Sequence, residues 1–144
     1  AQRLRGHNLK CTGVQIYIRD KTLFSYERQG MLDHPTYTSS VIAQKAFEIY
    51  NQKGVSRVPI RTIGVKGINL VDKNRSQQLS LFIDHEKLDK LENVEVAIDN
   101  IRDRFGYHAI QKGLLFVDRK LTVLNPHNDQ HQIHPYNFFE GKIT

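Results

Sequence analysis

The stretch CTGVQIYIRDKTLFSYERQG, residues 11–30, decides the fold. Its apolar residues Val14, Ile16 and Ile18 alternate with polar neighbours, and after a charged break a second extended run covers residues 23–28. Alternation with a period of two is typical of a strand with one buried face, so the stretch predicts a β-hairpin. The other face of the hairpin is expected to be polar and partly basic.

Helices are predicted on both sides of the hairpin. RLRGHNLK, residues 3–10, has the basic residues and the glycine that are typical of a helix end. VIAQKAFEIYNQKG, residues 41–54, carries apolar residues at helical spacing and ends in glycine. The residues just before it are good N-cap candidates: Thr38, Ser39 and Ser40. Its buried face is expected to hold Ile42, Ala46 and Ile49.

A third strand is predicted by PIRTIGVKGINLV, residues 59–71, with an interruption around Gly64 and Gly67. Its apolar residues are expected to be structural: Ile60, Ile63, Val65, Ile68 and Leu70. Further along, residues 84–106 predict an amphipathic helix with Asp84 as N-cap and Gly106 as the stop. Its apolar stripe is Leu88, Leu91, Val94, Ile98, Ile101 and Phe105.

Composition limits the class of protein. The chain has 144 residues, which suits one domain with an appendage, and 39% of them are hydrophobic, as in a folded protein. It has no apolar run near the ~20 residues of a membrane span, and its first residues lack the apolar stretch of a secretory signal. The single cysteine, Cys11, has no partner for a disulfide within the chain. We expect a reducing, cytoplasmic setting and no membrane contact.

The charge is bipolar. Residues 1–75 carry 13 Lys/Arg against 5 Asp/Glu, a net charge of +8, whereas residues 76–144 carry 8 against 10, a net charge of −2. A basic half favours a polyanionic partner, because cations that contact phosphates release counterions. The same cations would also serve as ordinary solvated surface residues, so charge leaves both interpretations open.

A small apolar group stands in SQQLSLFIDHEK, residues 76–87, between a polar linker and the predicted helix. A short extended segment with Gln, two Leu and Phe is suited to a groove on a partner. It is also suited to packing as a hydrophobic staple on the first turn of the helix, and the segment taken alone slightly favours this interpretation.

Within that group, QLSLF resembles the pentapeptide by which bacterial proteins bind the ring-shaped sliding clamp. CTGVQIYIRD, FSYERQG, VPIRTIGVKGINLVD and QLSLF also occur in the order seen in the C-terminal part of Y-family translesion DNA polymerases of the polymerase IV and V type. AIDNIRDRFGYHAI is similar to the helix that follows the clamp motif in the Gram-positive branch. The resemblance covers residues 1–112.

The resemblance implies the little-finger domain, an α+β fold of β-α-β-β-α-β order with helices on one face of an antiparallel sheet, followed by a helical tail. Relative to that pattern the chain lacks the first strand and most of the first helix. We expect the missing strand to be central, and the tail segment 113–124 or a second copy of the chain to fill the gap. The implied organisation is 1–75 partial little finger, 76–83 linker and clamp peptide, 84–106 helix and 107–144 tail.

The resemblance also implies the site residues. It places Arg19, Arg28 and Arg61 at basic positions that contact the DNA backbone, and position alone adds Lys21, Thr62 and Lys66. Glu27 departs from the Ser or Thr of the family, which predicts local repulsion of phosphate. The clamp-binding residues are Gln78, Leu79, Ser80, Leu81 and Phe82.

No catalysis is predicted for these residues. A polymerase needs clustered carboxylates that hold two metal ions, and the aspartates here are scattered; magnesium and any other cofactor are expected only in the palm domain of a longer protein. Three histidines between prolines, His127, His131 and His134, are not predicted to be a metal site. The alternative function is a stand-alone nucleic-acid-binding or dimerisation module, in which the stripe of residues 84–106 pairs with a second copy.

Overall fold

A computed structural model describes residues 1–52, 58–74 and 84–117. The elements are α1 (Gln2–Gly6), β1 (Leu9–Asp20), β2 (Ser25–Thr36), α2 (Ser39–Asn51), β3 (Ile60–Asp72) and α3 (His85–Phe105), followed by short 3₁₀ helices at Tyr107–Ala109 and Gly113–Val117. This confirms the predicted α+β class: a three-stranded antiparallel sheet with helices, followed by a helix. The chain divides into two compact units, Ala1–Val96 and Ala97–Thr144.

The strand order is β2-β1-β3, and both pairings of β1 are antiparallel. The expectation that a missing strand is central was wrong, because β1 itself joins the other two strands into one continuous sheet. The tail was also expected to contribute a strand over 113–124, but residues 113–117 form a 3₁₀ helix instead. Residues 118–124 lie outside the described residues.

The core lies on one face of β1. Val14, Ile16 and Ile18 are no more than 1% exposed. The predicted face of α2 packs against them through Ile42, Ala46 and Ile49, and Leu4 of α1 joins the same cluster. Burial of this apolar surface is the main stabilising term for the unit, at about 25 cal/mol per Å² removed from water.

The expected burial of the β3 side chains was wrong for most of them. Ile63, Val65 and Leu70 are 56%, 53% and 50% exposed, because among the described elements α2 packs on β1 and β2, and α1 packs on β1. The strand is also not interrupted at its glycines, since Gly64 pairs with Tyr17 in a regular ladder. Periodicity detects a strand but does not show which part of a sheet is covered.

The helix α3 begins and ends as predicted. Asp84 accepts a hydrogen bond from the backbone N–H of Lys87 at 3.0 Å, which is an N-cap contact. At the other end Gly106 has φ +93°, a left-handed conformation that favours glycine, and its N–H donates to the carbonyl of Arg102 at 2.8 Å. Among the described helices, α3 included, none combines the length and apolar character that crossing a membrane requires.

The first half of α3 is fixed to the sheet unit by buried polar contacts. Glu95 is only 8% exposed, and its carboxylate lies 2.8 Å from Arg5 of α1. The same carboxylate accepts hydrogen bonds from the backbone N–H of Ser39, at 3.0 Å, and from the Ser39 hydroxyl. One turn earlier, Glu92 pairs with Lys10 of β1 at 2.8 Å.

A buried tyrosine lies at the centre of these contacts. Tyr37 is 2% exposed, and three cations approach its ring at 5.4–5.8 Å: Arg5, Lys10 and Lys73. Burial, together with the charge of Glu92 and a hydrogen bond to it, raises the pKa of Tyr37 to about 12. We call the group of Arg5, Lys10, Tyr37, Ser39, Glu92 and Glu95 the Tyr37 cluster.

The Tyr37 cluster also changes how α2 begins. Thr38 occupies the predicted N-cap position, but its side chain makes no capping hydrogen bond. The cap comes from Glu95, 56 residues further along the chain. A carboxylate is favourable there because the N-terminus of a helix carries unpaired N–H groups and partial positive charge.

The raised pKa of Tyr37 predicts a loss of stability in alkali. Only the folded state holds the phenol proton between pH 10 and about 12, so the free energy of unfolding falls as pH rises through this window. Tyr37→Phe removes that pH dependence and destabilises the unit by about 1 kcal/mol near pH 8 through the lost hydrogen bond. Urea unfolding followed by circular dichroism from pH 8 to 11.5 measures both effects.

Tyr17→Phe, on the opposite face of the sheet, is the matched control. If the wild type and Tyr37→Phe lose the same stability in alkali, the pH dependence does not come from the raised pKa of Tyr37.

Candidate nucleic-acid interface

The face of the sheet opposite the core carries polar side chains in regular rows across the three strands. Gln15 of β1 lies between Gln29 and Lys66, Tyr17 between Glu27 and Gly64, and Arg19 between Ser25 and Thr62. We call this the open face, defined by Gln15, Tyr17, Arg19, Ser25, Glu27, Gln29, Thr62, Gly64 and Lys66. The alternation of β1 produces it, because each residue between the buried Val14, Ile16 and Ile18 points the other way.

A rigid turn closes the open face at the end of β1. Asp20 is 4% exposed, and one of its carboxylate oxygens accepts hydrogen bonds from the Thr22 hydroxyl, the Thr22 N–H and the Phe24 N–H, at 2.6, 2.8 and 3.1 Å. These bonds, that from the Thr22 hydroxyl foremost, lower the pKa of Asp20. The turn positions Arg19, whose Nε donates to the carbonyl of Leu23 at 3.4 Å.

A shallow depression of about 260 Å³ lies in the middle of the open face. Its lining includes Tyr17, Glu27, Gly64 and Lys66. Gly64 leaves the backbone of β3 uncovered beside Tyr17; a glycine within a strand often marks a place where another backbone approaches closely. The arrangement offers an aromatic ring and a cation to a ligand that lies along the sheet.

Glu27 is the negatively charged residue of the open face. Gln15 Nε2 donates to its carboxylate at 2.6 Å, which holds the negative group on the open face. Glu27 faces Tyr17 in the ladder, one row from Arg19 on one side and from Lys66 on the other. Repulsion of phosphate by this departure from the family pattern stays a prediction.

The structure brings together three of the six residues predicted to contact DNA. Arg19, Thr62 and Lys66 lie on the open face. Lys21 is exposed in the turn, where its N–H donates to the carbonyl of Pro59 at 3.0 Å.

The other two candidates are placed differently. Arg28 lies opposite Ile16, on the face that α1 and α2 cover, so it does not join Arg19. Arg61 lies at an irregularity in the pairing of β1 with β3. Arg19 pairs with Thr62 and the next residue, Asp20, pairs with Ile60, so Arg61 falls between the two paired positions. Contacts of either residue with DNA stay a prediction.

Several residues of the open face, Gln15 and Tyr17 among them, were not singled out from the sequence. Gln15 and Tyr17 are the polar half of the same alternation that predicted the hairpin, so the signal was present. The candidates came from the family resemblance and from position in the sequence, although an amide and a phenol are also able to contact a sugar-phosphate backbone.

The predicted clamp peptide, Gln78–Phe82, lies outside the described residues. The same is true of the three histidines, His127, His131 and His134. Within residues 1–52, 58–74 and 84–117, no group of three or more His, Cys, Asp or Glu side chains is placed to hold a metal ion.

Comparison with known proteins decides the family. Residues 1–81 match the C-terminal domain of the impB/mucB/samB family. The chain belongs to this family. Its described part is the little-finger domain with a following helix, which confirms the resemblance to bacterial polymerase IV.

The similar curated proteins are named DNA polymerase IV. The protein of Acetivibrio thermocellus is 43% identical over 84% of this chain and 30% of its own length. Those of Clostridium kluyveri and Clostridium acetobutylicum are 31% and 32% identical over 81% and 79% of this chain. The chain thus spans less than a third of the length of these relatives. No solved structure matches it.

The position of Glu27 generates a prediction for the family domain. Glu27→Gln keeps the side-chain shape and an acceptor for Gln15 but removes the charge, so affinity for duplex DNA is expected to rise about threefold at low salt. The gain shrinks as salt rises, because exposed charges are screened. Fluorescence anisotropy with a labelled primer-template duplex at several salt concentrations measures the effect.

The control is Glu48→Gln, which removes the same charge from the exposed side of α2. Equal gains in both variants would show a net-charge effect and not repulsion at the open face.

Proposed function

We propose that the open face holds duplex DNA by its sugar-phosphate backbones, and that residues 78–82 tether the protein to the sliding clamp. The observation that carries the first part is the row structure of the sheet, in which Arg19 and Lys66 share one face with Gln15, Tyr17 and Thr62, opposite the face on which α1 and α2 pack. Three polar strands side by side present donors at regular spacing to a phosphate backbone. Contacts of this kind position a protein on DNA without reading its sequence.

Non-specific grip suits a polymerase that copies past damaged bases. Damage changes base edges and leaves most backbone phosphates in place, so a surface that contacts phosphates tolerates varied lesions. The relatives named DNA polymerase IV support this role for the longer protein. Nucleotidyl transfer, with its magnesium ions, then belongs to the palm and not to these 144 residues. The proposed setting is the cytoplasm, at the nucleoid.

The clamp part of the proposal rests on the sequence QLSLF and its position. It lies between β3, which ends at Asp72, and α3, which begins at His85, so the peptide is next to the DNA-binding unit in the chain. An extended apolar peptide that fills a cleft on the clamp would keep a weakly DNA-bound polymerase at the primer terminus. In this proposal, residues 1–75 are the partial little finger, 76–83 the linker and clamp peptide, 84–106 the helix and 107–144 the tail.

The DNA part is tested by the salt dependence of binding. Arg19→Ala and Lys66→Ala are each expected to lower the slope of log K against log salt by about 1, because each removes one phosphate contact. Both side chains belong to the open face, so the fold is expected to be retained. Titration of a primer-template duplex between about 50 and 200 mM salt gives the slopes.

Lys45→Ala is the matched control, since Lys45 lies on α2 and pairs with Glu48 at 3.1 Å. If Lys45→Ala lowers the slope as much as Arg19→Ala does, the DNA contact does not lie specifically on the open face.

The clamp part is tested by calorimetry with the bacterial sliding clamp. The wild type is expected to bind with micromolar affinity, and Leu81→Ala/Phe82→Ala is expected to abolish binding, because the buried Leu and Phe side chains supply most of the contact energy. The control is Leu23→Ala/Phe24→Ala, a second Leu-Phe pair that is 51% and 65% exposed in the β1–β2 turn.

Absence of binding by the wild type would make QLSLF a packing element. The alternative of a stand-alone nucleic-acid-binding or dimerisation module would then stand, and sedimentation would show a dimer that Leu91→Asp/Ile98→Asp dissociates.

A further inference from the structure

We propose that Glu92 and Glu95 form a latch that makes the first half of α3 part of the DNA-binding unit, so that the clamp peptide is held to that unit at both ends. The latch itself is independent of any partner. Its consequence for the clamp peptide rests on the function proposed above.

The latch consists of two carboxylates, one turn apart on α3, with partners on three other elements. Glu95 contacts Arg5 of α1 and the first residue of α2, Ser39. Glu92 contacts Lys10 of β1 and the buried Tyr37. Arg5 also donates to the carbonyl of Tyr37 at 3.1 Å, which connects the two halves of the latch.

These contacts differ in kind from the other charge pairs of the same helix. Lys90 and Glu86 pair at 2.6 Å, but their side chains are 71% and 80% exposed. The side chains of Arg5 and Glu95 are 9% and 11% exposed, and those of Lys10 and Glu92 are 14% and 15% exposed. Exposed pairs contribute little, whereas a buried charge that loses its partner is strongly unfavourable. Release of α3 would leave these charges without their partners, so the docked position is favoured.

Apolar packing alone does not dock this part of α3. Leu88 and Leu91 are half-buried, and Val94 is 55% exposed. Among the side chains of α3 whose burial is described, the most buried is a glutamate, Glu95. We infer that the polar partners, together with this partial apolar burial, set the position of the helix.

Both ends of the clamp segment are fixed to the same unit. On one side, Lys73 donates its N–H to the carbonyl of Asn8 at 2.9 Å, and Asn74 donates to Asp72 at 2.7 Å. On the other side, α3 begins at its cap, Asp84, and reaches the latch within three turns. Nine residues, 75–83, join these two points and span at most ~30 Å. A clamp bound to residues 78–82 is therefore kept close to the DNA-binding unit for as long as the latch is docked.

The latch is tested in the free protein by hydrogen exchange followed by mass spectrometry. Glu95→Gln is expected to accelerate exchange about tenfold in two segments at once, residues 84–96 and the first turn of α2, because local release exposes both. Glu86→Gln, which removes a charge from the exposed pair of the same helix, is expected to change neither segment.

A charge swap distinguishes the latch from general damage to the fold. Lys10→Glu leaves two carboxylates facing each other, and Glu92→Lys leaves two ammonium groups, so each single variant is expected to accelerate exchange. The double variant Lys10→Glu/Glu92→Lys is expected to restore protection to within about threefold of the wild type. The proposal is overturned if the double variant does not restore protection. It is also overturned if Glu95→Gln accelerates exchange in only one of the two segments.

The consequence for the clamp is tested by distance measurement between spin labels. One label is placed at Ala43→Cys on α2 and the other on the clamp; Cys11 is fully enclosed, and burial raises the pKa of its thiol, so it does not compete for label. The wild type is expected to give a narrow distance distribution and Glu92→Gln/Glu95→Gln a broad one, with clamp affinity within about threefold.

The two proposals fail in different ways. If the wild type does not bind the clamp but Glu95→Gln accelerates exchange in both segments, the clamp proposal is wrong and the latch proposal stands. If the wild type and Glu92→Gln/Glu95→Gln both bind the clamp and give distance distributions of equal width, the latch does not position the clamp.

Discussion

The unit depends on the central position of β1 and on the strict alternation of its side chains. One half of the alternation, Val14, Ile16 and Ile18, is buried beneath α1 and α2 and makes the core. The other half, Gln15, Tyr17 and Arg19, lies along the central strand of the open face. A register shift of one residue would bury Arg19 and expose Ile18, so the hydrophobic effect that stabilises the fold also fixes which side chains lie on the open face.

Local periodicity was sufficient to predict the hairpin, both long helices and the existence of β3. It was not sufficient to predict burial in β3, because exposure of Ile63 and Val65 depends on which strands the helices cover. The central place of β1 was also missed, since strand order is set by pairing between residues such as Tyr17 and Gly64, far apart in the chain. The same applies to Glu95, whose partner Ser39 is 56 residues away.

The candidate site followed from sequence in part. Arg19, Thr62 and Lys66 converge because they occupy alternate positions of paired strands. The family resemblance predicted Arg19, and position in the sequence added Thr62 and Lys66. Arg28 does not, because it occupies the opposite phase of β2, next to Ile16. The family resemblance chose it, and a match of motif positions does not report which face of a strand a side chain occupies. The Tyr37 cluster had no sequence signal, since tyrosine, serine and two glutamates at these spacings resemble ordinary surface residues.

The central claim, that the open face and not the helix-covered face meets DNA, is tested most directly by an amide-resolved nuclear magnetic resonance titration of the chain with a primer-template duplex. Shift changes are expected along alternate residues of β1 and β3, at Gln15, Tyr17, Arg19, Thr62 and Lys66, with the α2 residues Ile42–Ile49 unaffected. Changes concentrated on α2 and around Arg28, with β1 silent, would contradict it.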